Sequence, residues 1–431
     1  SLLFPILFRI SLDHMYEGGR TLKDSMPILE LLEKAGVDAF DIDSGCYETM
    51  DYIFPTRYTG EGCMAYVCEE ARKHVKVPII NAGNHSMETA AALLESGNAD
   101  IISFGRQLIA DPFFPKKLKE GRREDIRPCL ICNEECIGRI FGRLTQLSCT
   151  VNIQVCQEGA TQIEKLPESK NIAVVGAGPG GLEAARVAAL RGCKVTVYEA
   201  ADRIGGTFGA IATAPFKKRI RELITWYGVQ LDKLGVEIRL NTKITPESPE
   251  LAAADEIFVA AGSVPFVPNI SGMDDPRVVD VTEAHRKGVE AQKVVVCGGG
   301  LSGCDAALEL AMDGKEVTIL EMMDACARDV MMINKISLDR MLAEYKVKIL
   351  TNTKAVGIEA DGVKVEKADK TTEVIPAEAI ITAFGQKPNS AVAEAIADRY
   401  PLKTTLIGDC QKVAKAGNAI REGFYAAMAL Q

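Results

Sequence analysis

The chain has 431 residues, 47% of them apolar and 25% charged, with 50 Lys and Arg against 59 Asp and Glu for a net charge of −9. That length suits about three globular cores, and a negative balance without a basic stripe excludes nucleic acid and anionic membrane as partners. No apolar run reaches the roughly 20 residues that span a bilayer, no signal-peptide pattern opens the chain, and its 13 cysteines lack a secretory context, so the expected location is the cytoplasm.

Residues 1–125 alternate buried-strand runs with amphipathic helices. The strands are Phe4–Ser11, Val37–Asp43, Val77–Gly83 and Ala99–Gly105, and the helices cover about Leu22–Ala35, Met64–His74 and Glu88–Ser96. Strand–helix units in this order predict a parallel sheet. The strands end in Arg9-Ile10-Ser11, Asp43-Ser44-Gly45, Asn81-Ala82-Gly83 and Gly105-Arg106, the kind of polar rim that carries barrel ligand sites. A whole (β/α)₈ barrel needs about 250 residues, so these are expected to be its last four units, without the first half; a small open α/β domain is the rival reading. The basic run Lys116–Arg127 is read as a solvated helix face.

Residues 126–165 hold Cys129, Cys132, Cys136 and Cys149 in the spacing C-x₂-C-x₃-C-x₁₂-C. Structural zinc, a disulfide pair and a 4Fe–4S cluster compete for them. Zinc usually takes two CxxC knuckles, and a reducing cytoplasm disfavours a disulfide. Three close thiolates with a fourth from further along fit the cluster. Cys156 is the rival fourth ligand, whereas Cys193, Cys297 and Cys304 read as small core residues.

Next, Asn171–Ala200 reads strand, Gly176-x-Gly178-x-x-Gly181, helix, strand and Glu199, which lies 23 residues past Gly176. The glycines permit a tight turn and a close approach to a pyrophosphate, and the acid suits a ribose hydroxyl. Lys293–Met322 repeats the pattern with Gly298, Gly300, Gly303 and Glu321, again at a 23-residue offset. An acid at this point favours NAD over NADP. Two such folds in one chain imply two nucleotides with electrons passing between them. Phe258–Pro268 and Thr405–Cys410 add glycine-bearing strand ends.

Together, these residues resemble the NADH:flavin oxidoreductases of the 2,4-dienoyl-CoA reductase and 2-enoate reductase type, over essentially the whole chain. The resemblance implies an α/β chain: the C-terminal half of an FMN-binding TIM barrel (1–125), a 4Fe–4S segment (126–165), an FAD domain (166–288 and 383–431) and an inserted NAD(H) domain (289–382). It gives FAD the first glycine loop, Gly205, Gly206, Gly408 and Asp409, and gives NADH the second loop. It places Arg9 at the flavin N1/O2 edge and Gly83, Asn84, Gly105 and Arg106 around the FMN, with Asn84 standing where many relatives carry arginine. Tyr47 would face a substrate carbonyl. The implied activity is an ene-reductase, with electrons running from NADH through FAD and the cluster to FMN and on to an α,β-unsaturated carbonyl compound. Two other readings stay open: an amine dehydrogenase of the trimethylamine dehydrogenase type, which the intact acid Glu321 disfavours, and an electron-transfer subunit without a substrate. The oligomeric state is unspecified, and a homo-oligomer is compatible.

Overall fold

A computed structural model describes residues 4–431. Strands β1 (Leu7–Asp13), β2 (Ala39–Ser44), β3 (Ile79–Asn81) and β4 (Ile101–Ile102) lie side by side in a parallel sheet. Their crossovers contain α1 (Leu22–Lys34), the short α2 (Met50–Ile53), α3 (Tyr66–Ala71) and α4 (Met87–Glu95). Thr21 opens α1 with a capping box, its hydroxyl accepting from Asp24 N while Asp24 accepts from Thr21 N. The strand begins at Leu7 rather than Phe4, because Pro5 has no N–H for a ladder. One sheet face packs Leu12, Phe40, Ile42 and Ile79 against Leu29 and Val67 of the helices. By the two-residue period of a strand, the other face carries Arg9 beside its register partner Asp41, and Asp43. Helices α5 (Arg106–Ala110) and α6 (Phe114–Lys119) close this region.

The cysteine segment has no strand or α-helix, only a π-helical turn at Gly138–Gly142. Ile131 (φ 52°) and Asn133 (φ 55°) take left-handed conformations that turn the chain sharply between the cysteines. Leu130, Ile131, Val151 and Ile153 are buried in one core with Leu182, Leu223 and Phe424 of the next unit. Burying each such aliphatic side chain contributes about 1.5–3 kcal/mol, so the segment is fixed to that unit rather than tethered between domains.

The first nucleotide unit contains β5 (Asn171–Val175), α7 (Pro179–Leu190), β6 (Lys194–Tyr198), α8 (Gly206–Ala210), α9 (Lys218–Lys233), β7 (Glu237–Arg239), α10 (Pro249–Ala253) and β8 (Glu256–Val259). The chain leaves through β9 (Ser263–Pro265), β10 (Val278–Asp280) and α11 (Val281–Lys287). It then forms β11 (Lys293–Cys297), α12 (Leu301–Met312), β12 (Glu316–Leu320), α13 (Met332–Glu344), β13 (Lys348–Leu350), the antiparallel β14 (Thr353–Glu359), β15 (Gly362–Lys367) and β16 (Thr372–Pro376), and β17 (Ala379–Thr382). It returns through β18 (Gln386–Pro388), which pairs with β9, to α14 (Ser390–Arg399), β19 (Thr404–Leu406) and α15 (Ala416–Met428).

The two parallel sheets have matching orders, β19-β8-β5-β6-β7 and β10-β17-β11-β12-β13. The second sheet therefore starts upstream of residue 289, where the sequence placed its boundary: β10 pairs with β17 and belongs to the inserted unit. Cys193, Cys297 and Cys304 are buried as expected. Among the described residues, no helix is long and apolar enough to cross a membrane.

Candidate functional site

Both glycine loops are built alike. Gly176 (φ 102°) and Gly298 (φ 114°) sit in the left-handed region, and a Cβ on either would run into the carbonyl of Ala260 or Ala383, past the neighbouring strand. A Cβ on Gly181 would strike the Gly176 carbonyl, and one on Gly303 the Gly298 carbonyl, whereas Gly178 and Gly300 face open space. The backbone is thus closed against protein on two sides and clear at the N-termini of α7 and α12, where a pyrophosphate meets unbonded N–H groups. Glu199 accepts from Ala177 N (2.7 Å) and Ala201 N (2.9 Å), and Glu321 repeats this with Gly299 N (2.7 Å) and Met323 N (2.8 Å). Each carboxylate is oriented by its loop and keeps acceptor capacity for a ribose hydroxyl. These cradles fit two dinucleotides.

Gly205 N donates to Ala177 O (2.8 Å), laying the Gly205–Gly206 pair over Gly178. Gly408 N donates to Glu422 (2.6 Å) ahead of α15, which crosses α7 so closely that a Cβ on Gly423 would meet the Gly180 carbonyl. Asp409 accepts from Ala414 N (3.0 Å) and Ser263 (3.3 Å), and burial raises its pKa.

Cys129, Cys132, Cys136 and Cys149 line one cavity together with Arg106, Asn133, Glu135 and Thr150. Cys156 is exposed and lies outside it. Burial pushes the thiols of Cys136 and Cys149 up to about 12 and also raises Cys129, while the Arg106 charge opposes the rise at Cys129 and Cys136. Among the described residues, no three His, Cys, Asp or Glu converge tightly enough to hold a single ion. Four thiols lining one cavity fit an iron–sulfur cluster, which is held by Cys thiolates.

The sheet face opposite the helices is more dispersed. Arg9 pairs with Asp41 (2.9 Å) and Asp43 (2.5 Å), which balance its charge, and its side chain is 58% exposed. Burial raises Asp43, with Arg9 opposing. Tyr47 is 85% exposed in a short turn and makes no hydrogen bond among the described residues. Gly83 (φ 139°) lies against Met64, and Asn84 (φ 56°) donates to Gly60 O (2.7 Å). The other side-chain atom of Asn84, Oδ1, is buried without a partner among the described residues. Gly105 caps α5, but Arg106 leaves the rim: its Nη1 donates to Pro55 O (2.5 Å) and to Asn133 Oδ1 (2.6 Å) in the cysteine loop.

Several linking residues had no sequence signal. Asn133 also donates to Phe54 O (3.2 Å) and Asn334 Oδ1 (3.3 Å), while Asn334 of α13 donates to Cys132 O (2.7 Å). Lys415 and Arg421, at and within α15, pair with Glu134 and Glu135. The cysteine loop is thus held by all three surrounding units. Residues 51–61 form a strap over the same junction. In the strap, Asp51 accepts from Ser337 (2.8 Å) and Arg340, Thr56 donates to Ser337 (2.9 Å), and Glu61 pairs with Lys218 and Arg219. Tyr58 donates to Asp305 (2.7 Å), which also pairs with buried Lys217 (3.1 Å).

Two dinucleotide cradles, one nested in the other, lie with a thiol-lined cavity beside a βα sheet, the architecture of an oxidoreductase that binds more than one nucleotide. Residues 146–250 and 229–423 match the pyridine nucleotide-disulphide oxidoreductases, and residues 3–125 match the NADH:flavin oxidoreductase / NADH oxidase family. The chain belongs to these families, the second forming its N-terminal part. It is 34% identical over 433 residues to an NADH oxidase of Thermoanaerobacter brockii, covering 98% of this chain and 66% of the relative. It is 39% identical over 307 residues to a cinnamate reductase of Clostridium sporogenes, covering 71% of this chain and 46% of the relative. A 2-naphthoyl-CoA reductase in complex with 2-naphthoyl-CoA superposes with a TM-score of 0.92 at 33% identity, over 99% of this chain and 66% of that one. The chain therefore spans about two thirds of the NADH oxidase and less than half of the cinnamate reductase.

Proposed function

We propose that this chain belongs to an NADH-dependent ene-reductase acting on a C=C bond conjugated to a carbonyl, of the enoate, enoyl-CoA or 3-oxo-Δ⁴ steroid type. The carrying observation is the cysteine cavity, fixed by Arg106 of the barrel-type unit, Asn334 of α13 and Arg421 of α15 at one junction. When bound, NADH, FAD, a 4Fe–4S cluster and FMN supply hydride acceptance, one-electron relay and hydride delivery to the alkene. The chain's residues supply the rest. Gly176–Gly181 and Gly298–Gly303 seat the pyrophosphates, Glu199 and Glu321 hold the riboses, and Cys129, Cys132, Cys136 and Cys149 hold the iron. Arg9, Gly83, Asn84 and Gly105 line the flavin face. Tyr47 is the donor assigned to the substrate carbonyl, its exposed hydroxyl without a partner among the described residues.

The relatives named for cinnamate and 2-naphthoyl-CoA support the substrate class. The amine-dehydrogenase reading loses support from Glu321, which the second loop orients just as Glu199 is oriented. Thirteen free cysteines suit the reducing cytoplasm. The test is anaerobic NADH oxidation against cinnamate, an enoyl-CoA, a dienoyl-CoA and a 3-oxo-Δ⁴ steroid. Turnover with one of them is expected; reduction of the flavins by NADH that no alkene reverses refutes the substrate class.

A further inference from the structure

Two thiols outside the iron-binding group meet at the second glycine loop. Gly299 N donates to Glu321 Oε2 (2.7 Å), and its carbonyl accepts from Ala327 N (2.7 Å) and from Cys304 Sγ (3.3 Å). A Cβ placed on Gly299 would lie 2.5 Å from Cys326 Sγ. Both sulfurs thus border one backbone residue, and both side chains belong to the same buried core. Cys304 sits in the first turn of α12 with no exposure. Cys326 retains 5% exposure and lies within residues 321–331, which contain no helix or strand and can yield. A hydrogen bond between the thiols raises the pKa of Cys304 and lowers that of Cys326, with burial and the Glu321 charge opposing the second shift. Cys326 is therefore the readier nucleophile, since the thiolate rather than the thiol attacks. Cys304 is placed to resolve what forms on it.

Resting on the second loop as the NADH cradle, we propose that Cys304 and Cys326 form a reversible disulfide, made by hydrogen peroxide, that weakens NADH binding. The Cys326 thiolate attacks one peroxide oxygen and the O–O bond breaks. A sulfenic acid forms on Cys326, and the departing hydroxide takes up the proton that Cys326 released, giving water. The Cys304 thiol then attacks that sulfur, the S–O bond breaks, and a second water leaves with the Cys304 proton. Two thiols are oxidised and one peroxide is reduced to two waters. The sulfurs pass from contact to covalent distance along the edge of Gly299, and Cys304 loses the S–H that it directs at the Gly299 carbonyl. Gly299 N–H orients the Glu321 carboxylate, so the ribose acceptor shifts with it. The switch acts where electrons enter, ahead of both flavins.

The experiment treats the anaerobically prepared holoprotein with hydrogen peroxide, blocks the remaining thiols, and maps peptides by mass spectrometry. Stopped-flow reduction of FAD by NADH, a step that does not involve the cluster, is followed on the same samples. A Cys304–Cys326 cross-linked peptide is expected, with the apparent KM for NADH raised about tenfold, the worth of one hydrogen bond to a charged acceptor. Dithiothreitol should reverse both changes, and NAD⁺ present during the treatment should slow them by covering the cradle. Cys326→Ser and Cys304→Ala, each compared with its own untreated form, should show no peroxide-dependent change in KM, which separates the switch from any damage to the iron centre. Treated wild-type protein without the cross-link overturns the proposal, and so does a cross-link that leaves the KM unchanged. If neither variant folds, those two wild-type results and their reversal by dithiothreitol decide. Untreated protein whose flavins NADH cannot reduce overturns the cradle reading instead, and the peptide map, which needs no NADH, keeps the two failures apart.

Discussion

Lys217→Met should destabilise the junction of the three units by about 3–5 kcal/mol, the usual cost of breaking a buried ion pair from one side. The Lys217 and Asp305 side chains are 1% and 4% exposed and 3.1 Å apart. At an effective dielectric of about 20, that separation corresponds to about 5 kcal/mol of gross attraction. Without Lys217, the Asp305 carboxylate keeps, among the described residues, the Tyr58 hydroxyl as its hydrogen-bonding side-chain partner across the barrel-side boundary, with the Arg57 charge acting beyond ion-pair distance. Burial pushes the Tyr58 pKa well above its usual range, so the hydroxyl remains a donor, but one neutral donor does not balance a buried charge. The assay is urea unfolding followed by tryptophan fluorescence. Trp226, the chain's one tryptophan, lies 5% exposed on α9, the helix that begins immediately after Lys217. The double variant Lys217→Met/Asp305→Leu removes both charges and should return to within about 1 kcal/mol of the parent. A single-variant loss below about 1 kcal/mol, or a double-variant loss equal to the sum of both singles, would refute the reasoning.

Gly303→Val puts a side chain into the Gly298 carbonyl and should abolish reduction of the flavins by NADH while dithionite still bleaches them; stopped-flow absorbance checks this. Cys149→Ser should lose the iron signal, whereas Cys156→Ser, altered outside the cavity, should keep it, as iron analysis would read. Asp125 is lowered from 3.8 to about 2: its small burial works against the shift, and Lys233, Gln230 and Arg122 outweigh it. A depressed acid contributes stability that is present above its unfolded pKa and lost as pH falls through the folded one. Contact between α9 and residues 120–125 should therefore weaken from about pH 4 to 2, and Asp125→Asn should abolish that dependence in an acid titration monitored by Trp226, whose Nε1 donates to Asp125 O.

The glycine loops were legible because their chemistry is local: a turn, a helix start and an acid lie within 24 consecutive residues, and each residue type is dictated by backbone conformation. The cysteine group was legible for the same reason. The inserted unit's first strand was not, since β10 spans three residues and its partner β17 follows about a hundred residues later. Arg106 was expected to close a strand running to Gly105; β4 ends at Ile102, Arg106 begins α5, and its direction depends on Asn133, 27 positions on. Arg9 was expected at a flavin edge, and the structure adds two carboxylates whose pairing needs the β1–β2 register. Nothing in the pattern of residues 51–61 announces a strap, because each of its partners belongs to a different fold.

That strap has a consequence for exchanging parts between such proteins. It is encoded within the βα unit that carries Tyr47, yet Ser337, Arg340, Asp305 and Lys218 receive it from the nucleotide units. A chimera cut at residue 125, the natural seam in the sequence, would set one protein's strap against another's α12 and α13, stranding Asp51 and Asp305 opposite mismatched side chains. Recombination between relatives should therefore succeed only where residues 51–61 travel with the helices they clasp, although the two units are separate folds.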